Sequence, residues 1–360
     1  MKAGPVESSD GFAPRLLAWF EGHGRHDLPW QHPRTPYRVW LSEIMLQQTQ
    51  VVTATVYFER FVSSLPDVPA LAAAPLDDVL ALWSGLGYYA RARNLHAAAR
   101  LCVERHEGHL PRDMDALVAL PGIGRSTAAA VLSQAWGERC AILDGNVKRV
   151  LARYHGIDGW PGRPVVEKRM WTIAEHHVAH PCLDAAAMPD YTQAQMDLGA
   201  TICTRANPAC VLCPLQADCI ARIEGRTGSL PTPRPAKALP QRSAQVMWLE
   251  DPQGRVLLQR RPSTGVWASL WSLPQVDDAA GARAWWAANA RATPPGGTEL
   301  EPIDHAFSHY RLRLYPSRWR GVDLADHLRD NDDLRWLRYD QLRTLGIPAP
   351  VRRLLESSCN

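Results

Sequence analysis

No stretch of the chain approaches the roughly 20 consecutive apolar residues that a membrane-spanning helix requires. The opening residues, MKAGPVESSDGFAPRLLAWF, lack the long apolar core and small-residue cleavage pattern of a secretory leader, so a cytoplasmic protein without membrane contact is expected. Charge of one sign is also scarce. With 40 Lys+Arg against 37 Asp+Glu the formal charge is only +3, which neither demands nor excludes a polyanionic partner; affinity for one must come from locally placed cations and backbone amides. There is no internal repeat, which argues against a solenoid or propeller.

What is present is enough for two cores. A chain of 360 residues, 46% of them hydrophobic, exceeds the size at which one core stops growing. From about Phe12 to Ile223, apolar residues recur at three- and four-residue spacing between Gly, Pro and Asp breaks, the pattern of packed short helices. Residues 226–241, RTGSLPTPRPAKALPQ, carry four prolines and few core-forming residues, and read as an extended linker. Beyond them SAQVMWLE and RVLLQRRP, joined by a turn at Asp251–Gly254, predict a β-hairpin, and HAFSHYRLRLYPSRWRG predicts further strands. DDAAGARAWWAANAR and PAPVRRLLESS predict helices over that sheet. The division is thus an all-α domain over 1–225, a linker over 226–241 and an α+β domain over 242–360. The 14 tryptophans are spread over both domains and read as core or interface anchors.

Eight cysteines in a large chain without a leader point to metal ligation rather than disulfides. Cys102, Cys140 and Cys182 read as small buried hydrophobes and Cys359 as part of a loose tail. Cys203, Cys210, Cys213 and Cys219, spaced by six, two and five residues, gather four thiols in one loop. Structural zinc usually shows two Cys-x-x-Cys pairs; one pair with unequal flanks favours an iron-sulfur cluster over zinc.

Leu120-Pro121-Gly122-Ile123-Gly124-Arg125-Ser126 lies between two helical stretches and reads as a helix-hairpin-helix. Gly122 and Gly124 permit a tight turn with positive φ and leave N–H groups uncovered, while the following helix directs its positive end at the same point. A DNA phosphate suits that place, contacted without regard to sequence; a plain helix corner is the alternative. Farther on, Ile142-Leu143-Asp144-Gly145-Asn146 ends an apolar run on an acid just before a helix, where Asp144 could be simply an N-cap. Glu43, in LSEIMLQQTQ, has apolar neighbours at helical spacing and is expected to be desolvated, hence a proton donor near neutral pH, with a better solvated Asp144 staying ionised. Cleaving an N-glycosidic bond uses such a division: one group protonates the leaving base and the other faces the sugar cation.

LPW, TPYRVWLSEIMLQQTQ, LPGIGRSTAAA and ILDGNVKRVLAR together resemble the adenine DNA glycosylase family, the MutY group of the endonuclease III superfamily, and the resemblance covers nearly the whole chain. It implies a helix-hairpin-helix glycosylase fold with a [4Fe-4S] loop on the four cysteines and a C-terminal Nudix-like α+β domain. It implies that Glu43 protonates adenine and assists water, that Asp144 stabilises the sugar cation or bonds to it transiently, and that Asn146 orients Asp144. Adenine would be flipped into a pocket containing Trp30, Gln31 and Gln193. Relatives that also cut the strand carry a lysine in the hairpin, which forms an imine with the sugar. Ser126 stands there, so base removal without strand cleavage is expected. Lys148 reads as a phosphate contact.

The resemblance further implies double-stranded DNA carrying adenine opposite 8-oxoguanine or guanine as the partner, bound by a monomer in a bacterial cytosol or nucleoid. Gln48, Thr49, Leu86, Gly87 and Tyr88 would enter the helix around the lesion, although Leu86 and Tyr88 could equally belong to a helix interface. Phe307-Ser308-His309 matches the lesion-sensing loop, Ser308 accepting from N7–H, where ordinary guanine offers only an acceptor; alone, the tripeptide could be a β-turn. The second domain lacks the Gly-x5-Glu-x7-Arg-Glu box that holds catalytic magnesium in Nudix hydrolases, which makes it a recognition module. A strand-cutting lyase for oxidised pyrimidines and a catalytically silent DNA-binding or redox protein are the competing readings, opposed respectively by Ser126 and by the pair Glu43 and Asp144.

Overall fold

Four of the helices begin where the sequence supplies a side-chain cap. Thr35 Oγ accepts from Arg38 N–H (3.3 Å), Asp113 from Ala116 (2.8 Å), Asp144 from Val147 (2.8 Å) and Asp278 from Gly281 (2.8 Å), each satisfying an orphan donor of a first turn. The structure is a computed structural model and describes residues 11–235, 238–290, 296–307, 309–324 and 332–357. Ser308 and Cys359 lie outside the described residues.

The helical part runs α1 (Phe12–His23), α2 (Pro36–Leu46), α3 (Val51–Ser64), α4 (Val68–Ala73), α5 (Leu76–Leu82), α6 (Ala90–Arg105), α7 (Met114–Val118), α8 (Arg125–Trp136), α9 (Gly145–Tyr154), α10 (Pro164–Val178), α11 (Met188–Asp197) and α12 (Ile220–Ile223). Short helical turns cover Pro29–Gln31, Leu198–Ile202 and Cys210–Leu212. No helix is long and apolar enough to cross a membrane among the described residues.

Two compact units result: Met1–Ala73 with Ala97–Ala236, and Ala74–His96 with Lys237–Asn360. In the first, α8 is the central rod. Its buried run Ala128 to Leu132 is small enough for α2 and α11 to pack closely on it. Around it Phe12, Leu16 and Phe20 of α1, Val150 and Leu151 of α9, Met170 of α10 and Tyr191 of α11 form one core. Residues 226–235 run along this unit, with Leu230 O accepting from Arg153 Nε (2.8 Å) and Thr232 Oγ from Gly159 N–H (3.0 Å).

The second unit carries β1 (Gln241–Leu249), β2 (Val256–Arg260), β3 (Trp271–Ser272), β4 (Gln275–Val276), α13 (Ala279–Asn289), β5 (Thr298–Glu299), β6 (Ile303–Ala306), β7 (Arg311–Trp319), β8 (Leu334–Leu337) and α14 (Ala349–Glu356). One mixed sheet has the order β4-β1-β7-β5 with β6 also on β7; a smaller one has the order β3-β2-β8. β1 and β7 pair in parallel from Gln241↔Arg311 to Leu249↔Trp319. The expected hairpin of β1 and β2 is therefore corrected. The turn forms, Gly254 N–H donating to Asp251 O (3.0 Å), but after a single bridge, Glu250↔Val256, the strands part into different sheets. The period of two explains the divergence: Ala244, Val246 and Trp248 of β1 enter one core while Met247 and Leu249 enter another beneath Trp285 and Trp286 of α13, so β1 is buried on both faces. Ala74–His96 joins this unit through its own bonds: Arg93 Nη1 donates to Ala268 O (2.8 Å) and Arg260 Nη2 to Asp77 Oδ2 (3.0 Å).

A buried histidine pair closes the far end of α9. His155 Nε2 and His177 Nε2 are 2.8 Å apart, and Phe12 stacks on His177 at 4.0 Å. One ring must donate and the other accept, so the accepting ring is neutral. Burial, with the neighbouring Arg169, His176 and His180, pulls His155 down to about 4 and His177 to about 3. A depressed histidine stabilises the fold above its unfolded value and loses that contribution as the pH falls toward the folded one. Urea unfolding should therefore show a loss of about 2 kcal/mol per histidine between pH 7 and pH 5. His155→Gln should roughly halve the loss; an unchanged pH dependence in that variant would contradict the assignment.

Candidate active site

Glu43 sits on α2 among buried neighbours, Tyr37, Trp40, Leu41 and Ile44, yet part of its own surface stays accessible, as for a carboxyl at the floor of a concave site. Gln134 of α8, itself 3% exposed, donates from Nε2 to Glu43 Oε1 (3.1 Å). Burial pushes the Glu43 carboxyl up to about 8; the charge of Asp144 adds to the rise and the Gln134 bond opposes it. The two acids, distant in sequence, therefore lie within electrostatic reach of each other.

Asp144 is the N-cap of α9, and its charge is felt at Glu43, so capping does not remove it from the site. It departs from expectation in one respect. Its carboxyl is raised by burial rather than left in the ordinary range, while N–H groups of Val147 and Asn146, the charge of Arg149 and the Asn146 side chain pull it back. The approach to Asp144 is pinned by Ser126, whose Oγ accepts from Leu143 N–H (2.9 Å). Ser126 thus faces the protein backbone, not only the hairpin surface expected to meet DNA.

Asn146 is held by Arg149, which donates from Nη2 to Asn146 Oδ1 (2.8 Å) and Gly199 O (2.6 Å) and from Nε to Cys203 O (2.6 Å). A Cβ on Gly199 would lie 2.5 Å from Asn146 Cβ, so only glycine allows the turn after α11 to close on the start of α9. Lys148 Nζ meets Glu167 Oε1 at 2.6 Å, so the amine expected at a phosphate already has an internal anion.

In the hairpin before α8, Gly122 has φ +80°, whereas Gly124 is the extended N-cap at φ −92°, so only the first uses the left-handed freedom predicted for both. Both are exposed, and a Cβ at Gly124 would meet open space, which leaves the N-terminal N–H groups of α8 approachable. Gln48 (φ 58°) and Tyr88 (φ 49°) are non-glycine residues in the left-handed region. Each is exposed, Tyr88 by 52%, which removes the helix-interface reading of Tyr88. Leu86 is buried, Gly87 has φ +70° and Thr49 N–H donates to Leu46 O (3.2 Å). Phe307 N–H donates to Tyr310 O (2.9 Å), closing a turn between β6 and β7 that leaves His309 exposed beside the Phe307 ring.

Trp30 is buried edge-on against Phe58, with ring centres 5.4 Å apart. Gln31 is 4% exposed, and neither its amide nitrogen nor its oxygen has a hydrogen-bond partner; Gln193 Oε1 has none either. Buried amides are normally paired, so these orphaned atoms suit a polar guest. Two ion pairs bracket Gln31 against α11 on either side of Gln193: Arg25 with Asp197 (2.5 Å) and Arg34 with Asp190 (2.9 Å).

Cys203, Cys210, Cys213 and Cys219 line one cavity together with Arg153. Arg153 is 2% exposed; it donates to Cys203 Sγ (3.3 Å) and to the carbonyls of Thr204 (2.7 Å), Arg205 (3.2 Å) and Leu230 (2.8 Å). Its partners include no carboxylate, so a buried cation faces the thiols. Sequence reasoning missed Gln134, Arg149, Arg153, Asp197 and Gly199; for Gln134 the only signal was a polar residue inside the alanine-rich stretch AAAVLSQAW.

Residues 41–176 match the model of the HhH-GPD superfamily of base excision DNA repair proteins, and residues 245–357 match that of the NUDIX domain. The chain is 36% identical to the adenine DNA glycosylase of Buchnera aphidicola subsp. Acyrthosiphon pisum, over 96% of this chain and 97% of that one. It is 33% identical to the adenine DNA glycosylase of Homo sapiens, over 97% and 74%. Among solved structures, a thermostable thymine-DNA glycosylase overlays on 59% of this chain and 95% of its own with a TM-score of 0.53 and 28% identity.

Gly199→Ala should force Asn146 and the start of α9 apart. The expected cost is about 1–3 kcal/mol in urea unfolding. Gly22→Ala, on an exposed turn of α1 with nothing within 4 Å, should be neutral or stabilising. Equal effects at the two positions would show that the close approach carries no strain.

Proposed function

Because the chain belongs to the adenine DNA glycosylase family, and is therefore a DNA glycosylase, we propose that it hydrolyses the N-glycosidic bond of adenine paired with 8-oxoguanine or guanine and leaves the strand intact. The observation that carries this reading is the pair Glu43 and Asp144, one carboxyl raised to about 8 and the other close enough to raise it further. Adenine, turned out of the duplex, presents polar atoms to the orphaned amides of Gln31 and Gln193 beside Trp30.

Glu43, protonated at neutral pH, gives its proton to a ring nitrogen of the base as the bond from that base to the sugar breaks and the electron pair leaves with it. Asp144, ionised and held by the first N–H groups of α9, faces the sugar cation. Water then adds to the sugar carbon and returns a proton to Glu43. Ser126 offers no amine, and Lys148 is tied to Glu167, so no imine forms with the sugar and the abasic strand stays uncut. Exposed Gln48 and Tyr88, with Thr49, Leu86 and Gly87, and the loop of Phe307, Ser308 and His309, are the proposed readers of the lesion. The exposed hairpin at Gly122 and Gly124 is proposed to hold a phosphate. A single chain suffices for all of these roles.

Cys203, Cys210, Cys213 and Cys219 are the residues that would hold a [4Fe-4S] cluster. The donor set fits: four thiols line one cavity and the buried Arg153 faces them. With all four ligands from protein the group supplies structure, fixing the loop whose Cys203 carbonyl receives Arg149.

Single-turnover assays on 8-oxoguanine:adenine, guanine:adenine and thymine-glycol duplexes should show base release from the first two and no strand scission without added base. Release should fall about tenfold per unit above about pH 8, as Glu43 loses its proton, and fall also toward acid pH, as Asp144 gains one; Asp144→Asn should abolish it. Release of thymine glycol, or full activity in that variant, contradicts the proposal. Anaerobically purified protein should absorb broadly near about 400 nm, where thiolate-to-iron charge transfer falls, and lose that band in Cys210→Ala; stoichiometric zinc without the band would contradict the cluster.

A further inference from the structure

Gln31 and Gln193 differ in what they can tell a base. Both amide ends of Gln31 are unpartnered, so it can turn to suit either a donor or an acceptor. Gln193 cannot. Its Nε2 donates to Asp197 Oδ1 (2.7 Å) one helical turn along α11, and only Oε1 remains unpartnered.

Asp197 has every reason to hold that orientation. Its side chain is 1% exposed, and Arg25 donates to it three times: backbone N–H to Oδ2 (2.7 Å), Nε to Oδ1 (2.9 Å) and Nη2 to Oδ1 (2.5 Å). An ionised carboxylate is acceptor-only, so the neighbouring amide must present nitrogen to it; presenting oxygen would set two acceptors against each other in a buried place. Thr201 Oγ donates to Asp197 O (2.8 Å), fixing the backbone beneath.

We propose that Asp197, clamped by Arg25, is a positioning residue that locks the Gln193 amide with its oxygen toward the base, making this subsite an obligate acceptor that selects a base with an exocyclic amine. This rests on the adenine reading above and names the selectivity of the same site. Adenine offers the N6 amine; hypoxanthine, with a carbonyl there, meets oxygen with oxygen, and purine, with nothing there, leaves Gln193 unpaired.

The test compares bases as well as proteins. Wild-type chain and variants are assayed in single turnover on duplexes carrying adenine, purine or hypoxanthine opposite 8-oxoguanine. Asp197→Ala removes the acceptor and frees the amide to turn, and should slow adenine release about ten- to a hundredfold while purine release changes less than about threefold. Gln193→Glu in the native background sets two acceptors together and should also slow adenine selectively. Equal slowing of adenine and purine in either single variant, as a merely structural role predicts, overturns the proposal. The Gln193→Glu comparison decides the matter if Asp197→Ala does not fold. Failure of the adenine reading shows in the wild-type chain, which would then release no adenine; failure of the locking role shows only in the variants.

Discussion

The first turn of α9 is the constraint on which the proposed chemistry depends. Asp144 must end an apolar run, cap a helix and lie within electrostatic reach of Glu43 at once. None of these is secured by the acid alone. Ser126 holds the run at Leu143, Gly199 gives Asn146 the room of a missing Cβ, and Arg149 ties Asn146 to the carbonyl of Cys203. A carboxylate placed by its own helix cap has little freedom to wander, and the same N–H groups that place it favour its ionised form. Helix start, hairpin, glycine turn and cysteine loop are therefore parts of one arrangement rather than separate motifs.

Opposed forces then separate two similar acids. Both are pushed up by burial. Glu43 has one hydrogen bond, from a neutral amide, to resist the push, and it feels the charge of Asp144. Asp144 has two backbone N–H groups, the Asn146 side chain and the cation of Arg149. One proton shared by such a pair rests on the glutamate, because an aspartate at a helix N-terminus gains more from its charge. Donor and anion are thus assigned by surroundings, not by residue type.

Much of this was legible in the sequence because the relevant signals are local. Asp144 before Gly145 and Asn146 announces a cap, the periodicity bounds the helices from Phe12 to Ile223, and clustered cysteines announce a ligand loop. What escaped is the part that depends on distant approach. Nothing near Gln134 says that its helix lies against α2, nothing near Gly199 says that Asn146 will fill the space of its Cβ, and SAQVMWLE reads as half of a hairpin although it pairs with β7 and is covered on both faces. Asp197 illustrates the border: its four-residue spacing from Gln193 was visible, but the reason it matters, Arg25, comes from before the first helical turn of the pocket segment.

Backbone strain separates packing from surface roles. Trp267 and Ser269 also have positive φ, but Ser269 is buried and the Trp267 ring lies 5.5 Å from Phe307, so the surrounding packing offsets the cost. Gln48 and Tyr88 gain less: each adopts a conformation costing about 1–3 kcal/mol while holding an exposed side chain, Tyr88 with the guanidinium of Arg91 5.6 Å from its ring centre. Folding alone would favour glycine at both positions, as it has at neighbouring Gly87. On the proposed function the two side chains are what is kept there, because a distorted duplex offers the stacked, apolar and polar surfaces that such residues meet.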